Sequence, residues 1–332
     1  MRALVLGSDG RLSLQHRDRP RSVDECLIRV TAAGICGTDL ELQRGYAQFT
    51  GVPGHEFVGI VEQTPDEDAH WMGLRVVGEI TVGCDRCDGC RAAGRGHCDV
   101  RSVMGILGRD GAFAEYLVLP AVNLHAVPDS LDDATAVFVE PTAAAYRVVD
   151  QVPVDGRTRA AVVGAGRLGL LVAQVLRERG ADTVVFVRGD TARALCAELG
   201  LNAASVDSME SLARRFDLVV DATGAPEGFA RARVLVRPRG TLVLKSTFHG
   251  ETPVAFSPLV VDEITIVGSR CGPFQVAIDA LAAGRIDVQP LIDGIYPLEQ
   301  FAKAFQRARS GRKQILAPGL APAAPSVPAA TT

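Results

Sequence analysis

Four closely spaced cysteines are the first residues of this chain whose types and spacing imply chemistry. Cys84, Cys87, Cys90 and Cys98 follow the pattern C-x2-C-x2-C-x7-C and make up half of the chain's eight cysteines. Thiolates held this close together form the tetrahedral sulfur site that suits zinc. Disulfides or redox-active thiols are the alternative, but nothing in the sequence indicates an oxidising compartment. The pattern predicts a structural zinc ion, whose closed ligand set leaves no position for a substrate.

A glycine-rich segment, GAGRLG at positions 164–169, has the form G-x-G-x-x-G. It follows the apolar stretch AAVV and opens a helix-like stretch, so the glycines can turn the chain tightly and bring the backbone close to a pyrophosphate. The helix N-terminus then offers free N–H groups to the phosphates. A glycine-rich turn without a ligand is the alternative. The residues assigned to this dinucleotide site are Gly164, Gly166, Arg167, Leu168, Gly169 and Thr223.

The cofactor preference depends on the end of the next strand, TVVFV, which is followed by Arg188. An NAD site usually has Asp or Glu there to hold the ribose 2′-hydroxyl, whereas arginine favours the 2′-phosphate of NADP. We therefore favour NADP, although Asp190 leaves NAD open and Arg188 could simply face solvent.

Three further segments carry metal-binding side chains but lie far apart in the chain. Cys36 occurs in GICGTDLEL, His55 and Glu56 in PGHEF, and Glu140 in VEPTAA. Each alone has an ordinary explanation: a buried thiol, a histidine in a turn, or a solvated carboxylate at a helix N-terminus. Their spacing does not prove that they meet. Beside a cysteine quartet and a dinucleotide motif, however, a second metal site becomes the stronger interpretation.

The elements that must position these residues change character along the chain. Up to about residue 140 the sequence predicts short strands and turns, and hence a β-rich unit. A helix is predicted at 143–151, and strands and helices then alternate, which predicts a doubly wound parallel sheet. The predicted strands are 160–163, 183–187, 218–221, 240–245 and 263–268, and the helices are 168–179, 191–199 and 228–236. A helix at 298–308 and a strand at 313–316 follow.

Composition limits the partners. The 332 residues are enough for roughly two domains, and a net charge of −4 gives no basic face for nucleic acid. The N-terminal stretch lacks the apolar core of a signal peptide, and every apolar run is shorter than the ~18 residues that cross a bilayer. We expect a cytoplasmic protein with no membrane partner, and a disordered Ala/Pro-rich tail at 317–332.

In this order, the segments Cys36-Gly37-Thr38-Asp39 and Gly54-His55-Glu56, the cysteine quartet and the GAGRLG turn resemble the zinc-dependent medium-chain dehydrogenases. The resemblance covers nearly the whole chain. It implies an α/β protein with a GroES-like β-rich catalytic domain at 1–141 and 282–316, including a zinc lobe at 83–99. A Rossmann cofactor domain, a doubly wound parallel sheet, is implied at 142–281. The Glu140-Pro141 pair resembles the polyol and sugar dehydrogenase branch.

The resemblance also implies a role for each matching residue. Cys36, His55 and Glu140 match ligands of a catalytic zinc ion, and Glu56 matches a carboxylate that binds it directly or through water. Asp39 would orient His55 by hydrogen bonding. Thr38 would accept the substrate hydroxyl proton and pass it on. The implied activity is hydride transfer between NADP or NAD and a secondary alcohol, polyol or sugar, or the corresponding carbonyl compound, with two zinc ions per chain.

Other details are less constrained. A zinc-free quinone or enone reductase of the same superfamily would lack Cys36, His55 and the quartet, and a zinc-ribbon nucleic-acid binder would need a basic patch. A non-catalytic cofactor-binding protein stays possible. Strand 263–268 resembles the edge through which family members form homo-dimers or homo-tetramers. Candidate substrate-pocket residues are Tyr46, Gln48, Phe49, Phe113 and Phe274, and Cys26, Cys196 and Cys271 are expected to be buried in apolar surroundings.

Overall fold

Short strands dominate the first part of the computed structural model, which describes residues 1–321 of the chain. The strands are β1 (Arg2–Leu6), β2 (Leu12–His16), β3 (Cys26–Gly34), β4 (Glu56–Gln63), β5 (Arg75–Gly78), β6 (Thr81–Val82), β7 (Ser102–Met104), β8 (Gly108–Arg109), β9 (Tyr116–Leu119) and β10 (Leu124–Ala126). Of two short helices, α1 (Gly37–Leu42) begins directly after Cys36, and α2 (Asp88–Ala93) lies within the cysteine quartet and contains Cys90. The β-rich unit predicted from the sequence is therefore confirmed.

The middle of the chain forms a parallel sheet flanked by helices. After α3 (Asp133–Ala136) and α4 (Val139–Gln151) come β11 (Arg159–Val163), α5 (Arg167–Glu178), β12 (Asp182–Val187), α6 (Gly189–Glu198), β13 (Asn202–Ser205), β14 (Phe216–Asp221), α7 (Gly228–Leu235), β15 (Val236–Leu244), α8 (Phe256–Val261), β16 (Thr265–Gly268) and α9 (Phe274–Ala282). The strand order β13-β12-β11-β14-β15-β16 reverses at β11, which is the point where doubly wound sheets bind ligands. The predicted Rossmann-type sheet is confirmed.

The chain then returns to the first domain through β17 (Ile292–Tyr296), α10 (Phe301–Ala308) and β18 (Lys313–Leu316). Strand β18 pairs antiparallel with β3 and joins the seven-stranded sheet β10-β5-β4-β3-β18-β17, in which β9 also pairs with β3. The backbone N–H of Ala317 donates to Tyr296 at 2.8 Å, and Arg2 donates to the carbonyl of Pro318 at 2.7 Å. The expected tail therefore does not begin at Ala317, and residues 322–332 lie outside the described residues.

Helix α4 connects the two units. Its buried side chains share one hydrophobic core with strands of the parallel sheet and with Val58 and Val77 of the first domain. The helix begins at Val139, so the expected domain boundary at 141/142 falls inside its first turn. The metal-site candidate Glu140 is thereby fixed to a helix that packs on the cofactor domain. In the described part of the chain, no helix combines the length and apolar character needed to cross a membrane.

Candidate metal centre and cofactor site

Pairing between β3 and β4 brings two distant metal-binding segments together. Gly34 lies opposite Glu56 in the antiparallel register, so Cys36 follows one strand where His55 precedes the other. One ligand atom from each of Cys36, His55 and Glu56 lies within 4.8 Å of the others. His55 and Glu56 are 3% and 1% exposed. The three side chains can therefore surround a cation that is largely shielded from bulk water.

Asp39 holds this cluster in place. Its Oδ2 accepts the backbone N–H of Cys36 at 2.7 Å, which caps helix α1, and its Oδ1 lies 3.5 Å from Nδ1 of His55. Burial works to lower the pKa of His55, but the negative charges of Asp39 and Cys36 raise that pKa well above its usual value. The cluster therefore attracts positive charge, which a divalent cation can provide in place of the proton.

Glu56 already has a cationic partner. Nζ of Lys313, on β18, donates to Oε2 of Glu56, and both residues are at most 1% exposed. The ammonium also lies 5.2 Å from the ring centroid of Phe138. Because Lys313 neutralises this carboxylate, Glu56 is less available to a metal ion than Cys36 and His55.

Replacing Lys313 by methionine should lower the free energy of unfolding by roughly 3 kcal/mol, because it leaves Glu56 as an unpaired buried charge. Chemical denaturation measures this change. The double variant with Glu56→Gln should recover much of the loss, since it removes the uncompensated charge. The exposed Lys303→Met is the matched control. A Lys313→Met protein as stable as the wild type would contradict the buried pair.

Glu140, the predicted third metal ligand, lies outside this cluster: its carboxylate is not among the ligand atoms within 4.8 Å of one another. The pKa of Glu140 is raised to about 7, mainly by burial and in smaller part by the charge of Glu56, while His55, Lys313 and Lys245 oppose the shift. The charges of His55 and Glu56, two residues of the cluster, therefore shift the pKa of Glu140. Its carboxylate lies close to the site without completing it in this structure.

Thr38 lies next to the cluster, with its hydroxyl oxygen 3.9 Å from the Cys36 sulfur. Most of the aromatic candidates for the substrate pocket lie elsewhere. Phe113 is fully buried and packs edge-on against Phe305, and Phe274 is buried with its ring stacked on His125. These two and Phe49, which is buried against Leu6 and Leu42, belong to the core. Of the candidates, only Tyr46 (half-buried) and Gln48 (exposed) present accessible surface.

The cysteine quartet forms a second, compact cluster. One sulfur atom from each of Cys84, Cys87, Cys90 and Cys98 lies within 4.8 Å of the others, and all eight cysteines of the chain are free thiols. Backbone N–H groups of Arg86 and Cys87 lower the pKa of the Cys84 thiol to about 6. A ready thiolate within four clustered sulfurs fits a zinc ion, since thiolate is the ligating form.

The remaining cysteines differ from one another. Cys26 and Cys196 are buried in apolar surroundings. Cys271 is half-buried instead. Burial and the negative charge of Glu140 raise the pKa of its thiol, although a hydrogen bond with Thr81 opposes the shift. As predicted, Cys271 packs against the apolar core of the first domain, although it is only partly buried and Glu140 acts on its thiol.

The glycine turn after β11 leaves space for a ligand. Gly164 has φ 108°, and a Cβ there would lie 2.7 Å from the carbonyl oxygen of Ala222; a Cβ at Gly169 would lie 2.0 Å from the oxygen of Gly164. Around Gly166, by contrast, no atom lies within 4 Å of the Cβ position. No side chain caps the helix that begins at the next residue. The turn therefore presents open backbone N–H groups to a phosphate.

The other predicted cofactor residues have partners within the protein. Nη1 of Arg167 donates to the carbonyls of Ala308 and Arg312 at 3.0 and 2.9 Å, so this guanidinium joins the turn to the returning segment. The hydroxyl of Thr223 donates to Oδ1 of Asp221 at 2.8 Å, at the carboxyl end of β14. Leu168 is half-buried and packs against the main core. These side chains shape the turn rather than project freely from it.

Arg188 follows β12 and lines a cavity of about 550 Å³ together with Ser205, Asp207 and Arg231. Within residues 1–321, neither arginine forms a salt bridge. Glu210 also lines this cavity, which therefore presents two arginines and two carboxylates.

Sequence analysis missed two functional candidates, Lys313 and Lys245. The chain contains three lysines among many arginines, and these two are buried, with 0% and 7% exposure. Lys313 begins an apolar strand and Lys245 directly follows one. Because lysine is rare in this arginine-rich chain, these positions could have indicated that the two side chains are buried.

Two family models match the chain in the order of its two domains. The alcohol dehydrogenase GroES-like domain matches residues 22–129, and the zinc-binding dehydrogenase matches residues 168–283. The L-threonine 3-dehydrogenase of Streptomyces avermitilis is 35% identical over 310 residues, which cover 87% of this chain and 90% of the relative. D-arabinitol dehydrogenase 1 of Uromyces fabae is 29% identical, covering 86% of this chain and 87% of the relative.

Solved structures agree with these matches. An alcohol dehydrogenase from Escherichia coli CFT073, complexed with NADH, has a TM-score of 0.87 at 28% identity and covers 96% of this chain and 99% of its own. A zinc-binding dehydrogenase from Sinorhizobium meliloti 1021, bound to NADP, has a TM-score of 0.87 at 27% identity with the same coverage. The GroES-like and Rossmann architecture expected from the motifs is confirmed. The chain therefore belongs to the zinc-type medium-chain dehydrogenase/reductase family.

Proposed function

We propose that this protein is a zinc-dependent dehydrogenase that transfers hydride between a secondary alcohol, polyol or sugar and NADP. The observation that carries the proposal is the cluster of the half-buried Cys36 with the buried His55 and Glu56, in a chain that also has an open glycine turn on a Rossmann sheet. The relatives named for L-threonine and D-arabinitol support an alcohol bearing a second polar group.

Cys36 and His55 would hold the catalytic zinc ion, and Glu140 would complete the protein ligands because Lys313 already holds Glu56. A zinc ion in such a site supplies Lewis acidity that lowers the pKa of a hydroxyl group. Asp39, whose Oδ1 lies 3.5 Å from Nδ1 of His55, would orient the imidazole and leave Nε2 available to the cation. The four thiols of the quartet would hold a second, structural ion.

Other groups of the protein would provide proton transfer, cofactor binding and exclusion of water. Thr38, beside the Cys36 sulfur, would accept the proton from the substrate hydroxyl and pass its own proton on through the cofactor ribose or water. The nicotinamide ring supplies the hydride acceptor or donor. The glycine turn would bind the pyrophosphate through N–H groups of α5 and so orient the cofactor toward the metal centre. Burial of His55 and Glu56 keeps bulk water away from the reacting atoms.

Elemental analysis combined with a substrate panel tests this function. The panel would include L-threonine, D-arabinitol, simple secondary alcohols and sugars, each with NADP and NAD, with cofactor reduction followed by absorbance. Two zinc ions per chain and turnover of a panel member support the proposal. Activity only on quinones or enones without zinc, or cofactor binding without turnover, would favour one of the other functions.

The cofactor preference should depend on Arg188. Arg188→Ser should raise the KM for NADP roughly tenfold or more and leave that for NAD nearly unchanged, because a hydrogen bond between charged groups contributes about 1.5–3 kcal/mol. Arg179→Ser, another exposed arginine of the same domain, is the control. Steady-state kinetics with both cofactors measures the effect. Wild-type protein that prefers NAD, or a variant that weakens both cofactors equally, would oppose the assignment.

We also propose that two copies associate through the edge strand β16 and helix α8. Phe256, Val260 and Val261 are 71%, 74% and 80% exposed on this side, and Ile266 of β16 is 41% exposed. Several exposed apolar side chains on and beside the edge strand of a sheet are typical of an interface. Val261→Glu should convert the assembly to a monomer in sedimentation velocity, whereas Val23→Glu, at a site 86% exposed elsewhere, should not. A monomeric wild type would contradict the interface.

A further inference from the structure

Lys245 is a buried cation without a carboxylate partner. It is 7% exposed, and its Nζ donates to the carbonyl of Ala144 at 2.8 Å and to Oγ of Ser269 at 3.3 Å. It takes part in none of the salt bridges among the described residues. Burial lowers the pKa of Lys245 to about 8, although the negative charges of Glu140 and Cys271 oppose the shift. At pH 7 the side chain therefore carries mostly positive charge, at the expense of desolvation.

The surroundings fix this charge at one edge of the parallel sheet. Lys245 directly follows β15 and Ser269 directly follows β16, so both lie at the carboxyl ends of strands. Ala144 lies one turn after Glu140 on α4. The loop after β16 packs against the same turn, since a Cβ at Gly272 would lie 1.8 Å from the Ala143 oxygen. Lys245 thus spans the gap between the sheet and the helix that carries Glu140.

This edge belongs to the nicotinamide half of a dinucleotide site. Ligands of doubly wound sheets bind across the carboxyl ends of the strands, with one mononucleotide on each side of the reversal in strand order. The Arg188 cavity lies on the β12 side and suits the adenosine half. The nicotinamide half must then face β14, β15 and β16. Hydride transfer also requires the ring to approach the metal centre, which places it toward Glu140 and hence toward Lys245.

We propose that Lys245 determines the affinity of the enzyme for the two redox states of the cofactor, because its ammonium lies beside the nicotinamide subsite. The oxidised ring carries a positive charge and the reduced ring is neutral. A fixed cation therefore disfavours the oxidised form by Coulomb repulsion and leaves the reduced form nearly unaffected. The other charged or ionisable groups that act on Lys245 are Glu140, Cys271 and Arg147. Once a metal ion balances Glu140, the charge of Lys245 is no longer offset.

The inference rests on the proposed function and predicts a difference between two binding constants. Dissociation constants of NADP+ and NADPH would be measured by calorimetry at pH 7 on the zinc-loaded protein. Wild type should bind NADPH more tightly than NADP+. Lys245→Met should reduce the ratio of the NADP+ dissociation constant to the NADPH dissociation constant about tenfold, mainly by strengthening NADP+ binding. Lys245→Arg should leave this ratio unchanged. The fragment 2′-phospho-ADP-ribose lacks the ring, so its affinity should be the same in all three proteins.

A second variant tests the charge without removing the side chain. Ser269→Asp would place a carboxylate next to the ammonium of Lys245 and should also lower the ratio of the NADP+ to the NADPH dissociation constant. An unchanged ratio in Lys245→Met, or in Ser269→Asp where the first variant does not fold, would overturn the inference. If Lys245→Met weakened the binding of NADP+, NADPH and the fragment equally, the inference would also be overturned, because Lys245 would then have a purely structural role. Wild-type protein that binds no nicotinamide dinucleotide would instead overturn the proposed function itself.

Discussion

Replacement of Cys36 by serine is expected to lower kcat by roughly a thousandfold while the protein remains folded. A hydroxyl is a much poorer zinc ligand than a thiolate, and Cys36 supplies the sulfur of the proposed catalytic site. Loss of the ion removes several kcal/mol of transition-state stabilisation, and about 4 kcal/mol corresponds to the thousandfold change. Elemental analysis should find one zinc ion per chain instead of two, and steady-state kinetics measures the loss of turnover.

The control for this experiment is a second cysteine variant. Cys196 is fully buried in the Rossmann domain and belongs to neither metal cluster. Cys196→Ala should therefore keep both zinc ions and nearly full turnover, at a modest cost in stability. A Cys36→Ser protein with two zinc ions and unchanged kcat would exclude Cys36 as a ligand of the catalytic ion.

The two metal clusters differ in how far the sequence alone could predict them. The quartet is local, since its four cysteines lie within fifteen residues, so spacing alone indicates a site. The cluster at Cys36 depends on the register between β3 and β4, which spacing does not reveal. The ion pair of Glu56 is even more difficult to predict from the sequence, because its partner Lys313 lies 257 positions away. Only the folded sheet shows that β18 returns beside β3 and carries this lysine into the site.

Fold prediction succeeded where periodicity is regular and failed where local signals are weak. The alternation of apolar strands and amphipathic helices identified the parallel sheet. Helices α8 and α9 were missed. Helix α8 has only six residues, and its apolar residues Phe256, Val260 and Val261 are exposed. Its sequence therefore lacks the amphipathic periodicity by which a helix that packs on a core is recognised. The substrate-pocket predictions for Phe113 and Phe274 were wrong for a related reason: an isolated aromatic residue gives no indication of which side of a sheet or helix it packs against.

Loss of the quartet should have the largest effect on stability. The lobe at 83–99 contains one six-residue helix, α2, which buries no residue, and the fully buried Cys98 is its main anchor to the interior. Sulfur atoms there also replace ordinary partners of the backbone, since the N–H of Cys84 donates to the Cys98 sulfur at 3.3 Å and that of Cys90 to the Cys87 sulfur at 3.4 Å. With so little apolar packing, the lobe would depend on the proposed zinc ion to hold it together.

Cys98→Ser should therefore reduce the zinc content to one ion per chain, lower Tm by about 10 °C or more, and expose the lobe to proteolysis. Calorimetry and limited digestion measure these changes. Arg91→Ala, which removes an exposed ion pair with Asp88 and a hydrogen bond to the Arg86 carbonyl in the same lobe, should leave both quantities nearly unchanged. The side chain of Arg270 donates to the carbonyl of Gly96, so a disordered lobe also releases the loop that carries Ser269. The variant should then bind NADPH more weakly than wild type even though its catalytic ion is retained. If Tm and the metal content instead matched the wild type, the quartet would not be a zinc site, and the lobe would owe its shape to the chain alone.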